Sequence, residues 1–455
     1  MRTAICIFLL CIVFASSEAQ NLFFNAGDRV CFVGNSITNN GEYHHNLLLY
    51  HTTRFPNQEL QFFNCGVSGD VTQGIINRME NDILIHNPNK AVIMIGMNDV
   101  KGSLYGSKPT SNADTLRLRK EGLMLYKVNL EKIITTFLSK KITVILQKPS
   151  IYDETAILAT PINLGKNEGL KSCADITEEL SVKYKLQTVD YWTPMTKLNQ
   201  EMQQKNPKAT LTCSDRVHPA ATGHFVMAYH FLKTEKAPQY VSQIIIDSRK
   251  KKQIKLSQNC EIKSIHSENK KITFSVKEYA LPFPTVPDQK EALELVPFTN
   301  DFNVELLKVI NLEKGNFKLS IDGTMIDQFS ATQLNEGINL ANYASTPQYK
   351  QAMKVRDLLW ELRTVVSKAR GLKFIEYNAD FQKCPDKQNL RVVQAYMDSV
   401  FSTKHYKLNP YYKARLSDYV LNKPKENEFI EKANDLRKKS FKEAQPIEHI
   451  YVLEP

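Results

Sequence analysis

Between residues 29 and 232 of the chain, short runs of almost wholly apolar residues alternate with longer stretches that have helical periodicity. The clearest helical stretches are residues 123–138 and a segment that begins near Glu42. Runs that are apolar throughout are typical of parallel strands covered on both faces by helices. The pattern therefore predicts an α/β fold, a three-layer α/β/α sandwich around a five-stranded parallel sheet. The predicted strands are residues 30–33, 60–63, 91–95, 142–146 and 186–189.

Beyond residue 245 the pattern changes to short strands and then to helices. Alternating apolar residues at 272, 274 and 276 indicate a strand, and Lys314-Gly315-Asn316 and Asp322-Gly323 are typical of hairpin turns. After Thr346-Pro347 the apolar residues follow one helical stripe. We predict a sandwich domain over residues 20–240, a small β-rich module over 245–345 and a helical region over 346–455, with helices continuing to the end of the chain.

The N-terminus has the features of a cleavable export signal. Arg2 precedes an apolar run over residues 5–14, and Ser17 and Ala19 are small residues at the positions that a signal peptidase reads. No later segment approaches the roughly 20 apolar residues that span a bilayer. We therefore expect residues 1–19 to be removed, and the protein to be secreted or periplasmic without a transmembrane segment.

Composition and charge narrow the classes of partner. The chain has 42% hydrophobic and 24% charged residues and a mean hydropathy of −0.35, which is typical of a globular protein. Its net charge of +11 favours contact with acidic surfaces, but the basic residues are spread along the sequence. A nucleic-acid interface needs a basic stripe with interleaved aromatic residues, and the sequence has none. We expect no nucleic-acid partner.

Six cysteines remain after the predicted signal, at positions 31, 65, 173, 213, 260 and 384. An even number in an exported protein permits disulfides, yet Cys31 lies within a predicted buried strand. Buried thiols with at most one bridge and a disulfide framework both remain open. The cysteines show neither CxxC spacing nor Cys/His ligand spacing, so we expect no metal site.

The first predicted strand leads directly into a turn that suits a nucleophile. Gly34, Asn35 and Ser36 follow the strand and precede a helix, so the Ser36 hydroxyl can project into the crevice beyond the sheet. Gly66 follows the second strand and Asn98 follows the third. The N–H groups of Ser36 and Gly66 and the Asn98 side-chain amide would donate three hydrogen bonds to a substrate oxyanion.

Asp215 and His218 lie on one loop near the end of the predicted sandwich. Pro219 keeps His218 outside the helix that follows, so the imidazole stays at the start of that helix. The Asp215 carboxylate would accept from one imidazole nitrogen, and the other nitrogen would take the serine proton. Four other histidines are predicted to lie outside the catalytic site. We expect His224 and His230 to be structural residues within a helix, and His44 and His45 to be surface residues.

In order and placement, four segments resemble the sequence blocks that define the SGNH hydrolases, also called GDSL-like hydrolases. The segments are Gly34-Asn35-Ser36, Asn64-Cys65-Gly66, Gly96-Met97-Asn98-Asp99 and Asp215-Arg216-Val217-His218. The resemblance covers residues 29–232 and implies a flavodoxin-like sandwich that hydrolyses esters without a metal or another cofactor. Its implied site residues are the catalytic Ser36, Asp215 and His218 and the oxyanion-hole Ser36, Gly66 and Asn98. Asn35 stands where the name-giving motif has aspartate, at a position outside the proton relay.

The sequence therefore predicts a secreted serine esterase. Export, a basic surface and the lack of a long apolar lid favour the removal of small acyl groups, above all acetyl, from carbohydrate. The expected partner is thus a small ester or an acylated carbohydrate. A lipase or lysophospholipase is the alternative within the enzyme class, and a non-catalytic carbohydrate-binding or envelope scaffold with a vestigial site is the alternative outside it. The region after residue 245 resembles modules appended to some exported bacterial SGNH proteins.

Overall fold

A computed structural model describes residues 22–249, 253–403, 406 and 409–455 of the protein. The predicted signal peptide, residues 1–19, lies outside the described residues. The first five strands are β1 Arg29–Gly34, β2 Gln61–Gly66, β3 Lys90–Met94, β4 Thr143–Gln147 and β5 Gln187–Val189. They form one parallel sheet in the order β2-β1-β3-β4-β5, which confirms the predicted α/β sandwich.

Helices connect these strands and cover both faces of the sheet. They are α1 Ser36–Asn40, α2 Glu42–Arg54, α3 Thr72–Arg78, α4 Ala113–Ser139, α5 Lys166–Tyr184, α6 Trp192–Lys205 and α7 Ala221–Thr234. α2 packs against α7, and α4 packs against both α3 and α5. Since parallel strands end at the same edge of a sheet, the turns that leave β1, β2 and β3 meet at one edge.

Beyond the sandwich, the described chain forms two further sheets. Their strands are β6 Tyr240–Asp247, β7 Ile254–Gln258, β8 Cys260–Glu268, β9 Lys271–Glu278, β10 Val304–Ile310, β11 Asn316–Ile321, β12 Thr324–Ser330, β13 Ile338–Asn339 and β14 Glu448–Glu454. One sheet has the order β13-β10-β6-β7 and the other β12-β11-β14-β9-β8. Ile244 and Leu307 of the first sheet share a hydrophobic cluster with Phe274 and Leu319 of the second, so the two sheets pack together.

The last strand corrects the prediction that helices continue to the end of the chain. β14 lies between β9 and β11, with His449 and Tyr451 buried at alternate positions. Lys314-Gly315-Asn316 is not a hairpin turn, because β10 and β11 belong to different sheets. Asp322-Gly323 does join the antiparallel β11 and β12, as predicted. The domain boundary predicted at residues 240–245 is not a linker, because these residues belong to strand β6.

The C-terminal helices pack onto the sandwich. These helices are α11 Pro347–Glu376, α12 Leu390–Phe401, α13 Asn409–Asn422 and α14 Glu426–Glu443. Three short helices precede them in the chain, α8 Lys290–Leu295, α9 Phe298–Phe302 and α10 Ala331–Glu336. The Thr346 side chain caps α11 by accepting from the Tyr349 N–H, and the predicted stripe lies within this helix. α11 contacts α14 and α2, and its Leu359 and Leu362 belong to the same hydrophobic core as Phe32 of β1. The sandwich and the helical region therefore share a core.

The six cysteines of the described chain are all free, so this part of the protein has no disulfide. Five of them are buried and Cys213 is exposed. Within the described residues, no helix combines the length and the apolar character needed to cross a membrane.

Candidate active site

Ser36 begins a short helix directly after the first strand. Asn35 caps this helix, because its Oδ1 accepts a hydrogen bond from the Ile37 N–H at 3.0 Å. A side chain at Gly34 would overlap the Thr38 hydroxyl and the backbone of β3, so only glycine fits at the end of the strand. The strand, turn and helix thus fix Ser36 at the carboxyl edge of the sheet.

The three predicted catalytic side chains meet at this edge. The Ser36 hydroxyl lies 2.8 Å from His218 Nε2, and His218 Nδ1 lies 2.6 Å from Asp215 Oδ2. The other Asp215 oxygen accepts from the backbone N–H groups of Val217 and His218 at 2.9 and 3.0 Å. This is the order of contacts expected for a nucleophile, a base and a carboxylate that orients the base.

The Asp215 carboxylate is held in its ionised form. Partial burial alone would raise its pKa, but hydrogen bonds from the His218 ring and from two backbone N–H groups lower the pKa to about 2. An ionised Asp215 keeps a proton on His218 Nδ1, which leaves Nε2 free to accept the proton of Ser36. The Asp215 and His218 side chains are 47% and 42% exposed, so the pair is open to solvent.

Arg216 was not singled out from the sequence, yet it anchors the loop between Asp215 and His218. Its backbone φ of +68° is rare for a residue with a side chain. The buried guanidinium donates to four backbone carbonyls of a neighbouring loop, those of Asp153, Ala156, Leu158 and Thr160. The Arg216 carbonyl in turn accepts from the Asp153 N–H at 2.9 Å. These contacts fix the position of the loop that carries Asp215 and His218.

Asn98 lies beside the loop that follows β2. Its Nδ2 donates to the Asp70 carbonyl at 3.0 Å, which leaves the second amide hydrogen for another acceptor. The neighbouring Asp99 accepts from the N–H and hydroxyl groups of Thr72 at 2.9 and 2.7 Å. The turns after β2 and β3 are therefore held together at the edge that carries Ser36.

Gly66 is not positioned to be the oxyanion donor that the sequence predicts. Its N–H already donates to Asn64 Oδ1 at 3.0 Å, and the residue is buried where a side chain would overlap the Asn39 backbone. Gly69, in the same loop, is exposed with φ +83°, and its N–H has no acceptor within the described residues. Since the next residue contacts Asn98, Gly69 is the glycine of this loop that can supply a free donor beside that amide.

Buried charges support the loop after β2. The Asp82 carboxylate lies between two arginines. Arg78 Nη1 is 2.5 Å from Asp82 Oδ2, and Arg370 Nη1 is 2.6 Å from Asp82 Oδ1. Burial alone would raise the pKa of Asp82, but the two arginines lower it to about 2. Arg78 also contacts Asp70 at 2.8 Å, and Arg370 donates to the Gly66 carbonyl at 2.9 Å. The network joins α3, α11 and the loop.

The structure corrects the prediction that His44 and His45 are surface residues. Both are buried in α2, where His44 stacks on Phe32 with ring centroids 4.6 Å apart and His45 packs against α11. Burial lowers the pKa of His44 to about 3 and also lowers the pKa of His45. His224 and His230, predicted to be structural, lie in α7, and burial lowers the pKa of both.

Lys166 is a further cation near the site that the sequence did not single out. Its side chain is buried at the start of α5, and its Nζ lies 4.9 Å from the ring centroid of Tyr152. Burial lowers the pKa of Lys166, while the charge of Asp215 acts in the opposite direction. In the part of the chain that the structure describes, no three His, Cys, Asp or Glu side chains are grouped to hold a metal ion.

Known proteins that resemble this chain indicate its class. Residues 32–225 match the family model described as GDSL-like lipase/acylhydrolase. The solved structure of BT4096, a gut microbial diltiazem-metabolizing enzyme, is 30% identical and aligns over 95% of this chain and 98% of its own, with a TM-score of 0.85. A catalytic mutant of Axe2, an acetylxylan esterase from Geobacillus stearothermophilus, is 19% identical over 47% of this chain and 95% of its own, with a TM-score of 0.38. No curated protein matches the chain.

The fold, the family match and the near-complete alignment with BT4096 define the class of protein as a carboxylic ester hydrolase. The chain belongs to the GDSL-like lipase/acylhydrolase family, the SGNH hydrolases. Because the alignment with BT4096 covers nearly the whole chain, it includes the β-rich and helical regions as well as the sandwich.

Proposed function

We propose that this protein is an exported serine esterase in which Ser36 forms an acyl-enzyme intermediate. The observation that carries the proposal is the unbroken series of contacts from Ser36 Oγ through His218 to Asp215, at 2.8 and 2.6 Å. A serine hydroxyl is a weak nucleophile until a base removes its proton. His218 Nε2 lies within hydrogen-bonding distance of that hydroxyl, which is the geometry required of the base.

In the first half of the reaction, the ester carbonyl oxygen binds toward the N–H groups of Ser36 and Gly69 and the Asn98 amide. His218 takes the Ser36 proton as Oγ attacks the carbonyl carbon, and these donors stabilise the resulting oxyanion. Asp215 stabilises the cationic imidazole. His218 then gives the proton to the alcohol oxygen as its bond to carbon breaks, and the acyl group stays on Ser36.

In the second half, a water molecule replaces the alcohol. His218 removes one proton from the water as its oxygen attacks the acyl carbon. The proton then passes to Ser36 Oγ as the acyl–serine bond breaks, and the carboxylic acid leaves. This step needs access to water, and the exposed side chains of His218 and Asp215 agree with that need.

For the substrate, we propose a small acyl group, above all acetyl, carried by a carbohydrate. The exposure of the His218 and Asp215 side chains leaves space for a large acceptor beside Ser36. The net charge of +11 favours approach to acidic surfaces. The alignment with BT4096, which covers 95% of this chain at 30% identity, favours diltiazem as a second candidate substrate.

Export is part of the proposal. We expect the signal peptidase to cut after Ala19 and the mature protein to be secreted or periplasmic. Recovery of the protein outside the cytoplasm with Gln20 as its first residue would support export. An intact N-terminus on protein that stays in the cytoplasm would contradict it.

A panel of esters tests the proposed activity. The panel contains acetylated xylo-oligosaccharide, 4-nitrophenyl acetate, 4-nitrophenyl decanoate, lysophosphatidylcholine and diltiazem. We expect acetate release from the first two, and a kcat lower by about 10⁴–10⁶ for Ser36→Ala. Ser139→Ala, at the exposed end of α4, is the matched control and should keep full activity.

The outcomes of the panel separate the candidate functions. Turnover that rises with acyl-chain length would indicate a lipase or lysophospholipase, and turnover of diltiazem alone would favour the second substrate. If Ser36→Ala kept full turnover, the catalytic assignment would be wrong. A wild-type protein that bound acetylated sugar without hydrolysing any ester would be a scaffold.

A further inference from the structure

A cavity of about 780 Å³ lies between the sandwich and the C-terminal helices, and none of the proposed catalytic residues lines it. Edge strand β2 forms one wall, and α11 and α14 form the other. Its apolar lining includes Leu60, Phe62, Phe63, Phe429 and Ile430. Cavities of this size and lining are typical of sites that hold small molecules.

Arg437, on α14, is a buried cation in the wall of this cavity. The residue is 8% exposed, and no carboxylate of the described residues is within ion-pair distance of it. Its Nη1 donates to Asn434 Oδ1 at 2.9 Å, whereas its Nε is buried and neither Nε nor Nη2 has an acceptor in the described chain. Nε and Nη2 form one edge of the guanidinium, and such an edge binds a carboxylate through two parallel hydrogen bonds.

A second arginine adds to the positive charge. The Cζ atoms of Arg29 and Arg437 lie 4.9 and 5.6 Å from the ring centroid of Phe63. Arg29 donates to the His86 carbonyl and to Gln61 Oε1, and it too lacks a carboxylate partner among the described residues. Burial and the charge of Arg29 lower the pKa of Arg437 to about 10, so the guanidinium is still charged at neutral pH.

None of the acidic residues that line the cavity, Glu59, Asp82 and Glu426, forms an ion pair with Arg437 within the described chain. Asp82 is held between the two arginines of the buried network. Glu426 contacts Lys373 at 3.0 Å and Lys423 at 2.6 Å, and Glu59 is exposed. A buried cation without a partner is costly, so an anion inside the cavity would be stabilised.

We propose that this cavity binds an amphipathic carboxylate. The carboxylate contacts the Nε/Nη2 edge of Arg437, and the hydrocarbon or aromatic body packs against Phe62, Phe63 and Phe429. A neutral molecule of the same shape would leave the guanidinium without a partner, and an inorganic anion would leave the apolar walls uncovered. The site is separate from Ser36, and the proposal does not depend on the proposed esterase function.

Calorimetric titration of the whole protein with sodium decanoate tests this proposal. All titrated proteins carry Ser36→Ala, so that a reaction at Ser36 cannot contribute to the measured heat. We expect Arg437→Met to weaken decanoate binding at least about tenfold, because it removes a charge-assisted pair of hydrogen bonds. 1-Decanol, which lacks the charge, should bind equally to both proteins. Arg117→Met, at an exposed arginine on α4, is the matched control and should leave decanoate affinity unchanged.

Thermal unfolding distinguishes lost binding from lost folding. Arg437→Met removes an unpaired buried charge, so its Tm without ligand should equal or exceed that of the unmodified protein. Decanoate should raise only the Tm of the protein that retains Arg437, and Ala433→Phe, which fills the cavity, should also abolish that rise. The proposal is overturned if decanoate does not bind, if Arg437→Met keeps the original affinity, or if covalent labelling of Ser36 in the wild type blocks decanoate.

Discussion

Arg370 of α11 donates to the carbonyl of Gly66, at the end of β2, from Nε at 3.2 Å and from Nη2 at 2.9 Å. The two residues are 304 positions apart in the chain. The same guanidinium contacts Asp82 at 2.6 Å. A helix of the C-terminal region therefore completes the buried support of a loop at the candidate active site, so this region is structurally part of the catalytic domain.

Arg370→Met should destabilise the protein and lower its activity. It leaves the Gly66 carbonyl with one fewer donor and Asp82 with Arg78 alone. We expect the free energy of unfolding to fall by about 3 kcal/mol, at the low end of the range for a broken buried pair because Arg78 remains. Urea denaturation and turnover of 4-nitrophenyl acetate check this. Arg391→Met, an exposed substitution in α12, should change neither quantity.

Arg216→Met should lower kcat more than it changes KM. Without the four carbonyl contacts the loop between Asp215 and His218 loses its anchor, and small displacements of a catalytic group reduce the rate strongly. We expect a drop in kcat of about 10–100-fold. Arg216→Lys keeps the charge and some of the donors, and should recover part of the loss. Equal kcat values for the methionine variant and the wild type would show that the loop does not need this anchor.

Gly66→Ala and Gly69→Ala should have different effects. A side chain at Gly66 would overlap the Asn39 backbone, so we expect a loss of about 1–3 kcal/mol in the free energy of unfolding. Space around Gly69 is open, but its φ of +83° is strained for alanine. Gly69→Ala should therefore remain folded while its kcat falls by about tenfold, because the donor N–H moves. Unchanged activity in Gly69→Ala would argue against this donor.

Buried histidines should make the folded state sensitive to acid. Burial lowers the pKa of His44 and His224 to about 3, whereas these groups have a pKa of about 6.5 in an unfolded chain. Below that unfolded value the unfolded state binds more protons, so stability is full above pH 6.5 and is lost as the pH falls toward 3. Each such histidine contributes a slope of about 1.4 kcal/mol per pH unit.

His44→Phe tests this pH dependence. Phenylalanine preserves the stacking on Phe32 and removes the proton uptake, so the slope of unfolding free energy between pH 4 and 6 should decrease by about 1 kcal/mol per unit. Urea denaturation at several pH values measures the slope. His266→Phe, at an exposed histidine, is the control and should retain the wild-type slope.

The central sheet could be predicted because its inner strands β1, β3 and β4 are buried at almost every position and are therefore mostly apolar. The run predicted at 91–95, for example, is the strand Lys90–Met94. The proposed catalytic side chains could be predicted for a related reason, because each belongs to a loop at the edge where parallel strands end. Ser36 lies two residues after the end of β1, and the sheet order places β1 between β2 and β3. Their catalytic roles remain a proposal.

The features that could not be predicted depend on contacts between distant segments. His44 and His45 are buried because α11 and the sandwich core cover α2, and nothing local in the sequence shows that cover. β14 has the two-residue alternation of a strand, but it pairs with β9 and β11, which lie far earlier in the chain. The N–H group of Gly66 is not free to bind an oxyanion because it donates to one side-chain acceptor, Asn64 Oδ1, and the sequence does not show that contact.

Labelling with a fluorophosphonate probe, followed by peptide mass spectrometry, tests the central claim most directly. The probe reacts with a serine only when a neighbouring base activates its hydroxyl. We predict one adduct, on Ser36, that is lost in His218→Ala while Ser139→Ala labels normally. Absence of an adduct on Ser36 in folded wild-type protein, or labelling that persists without His218, would contradict the account.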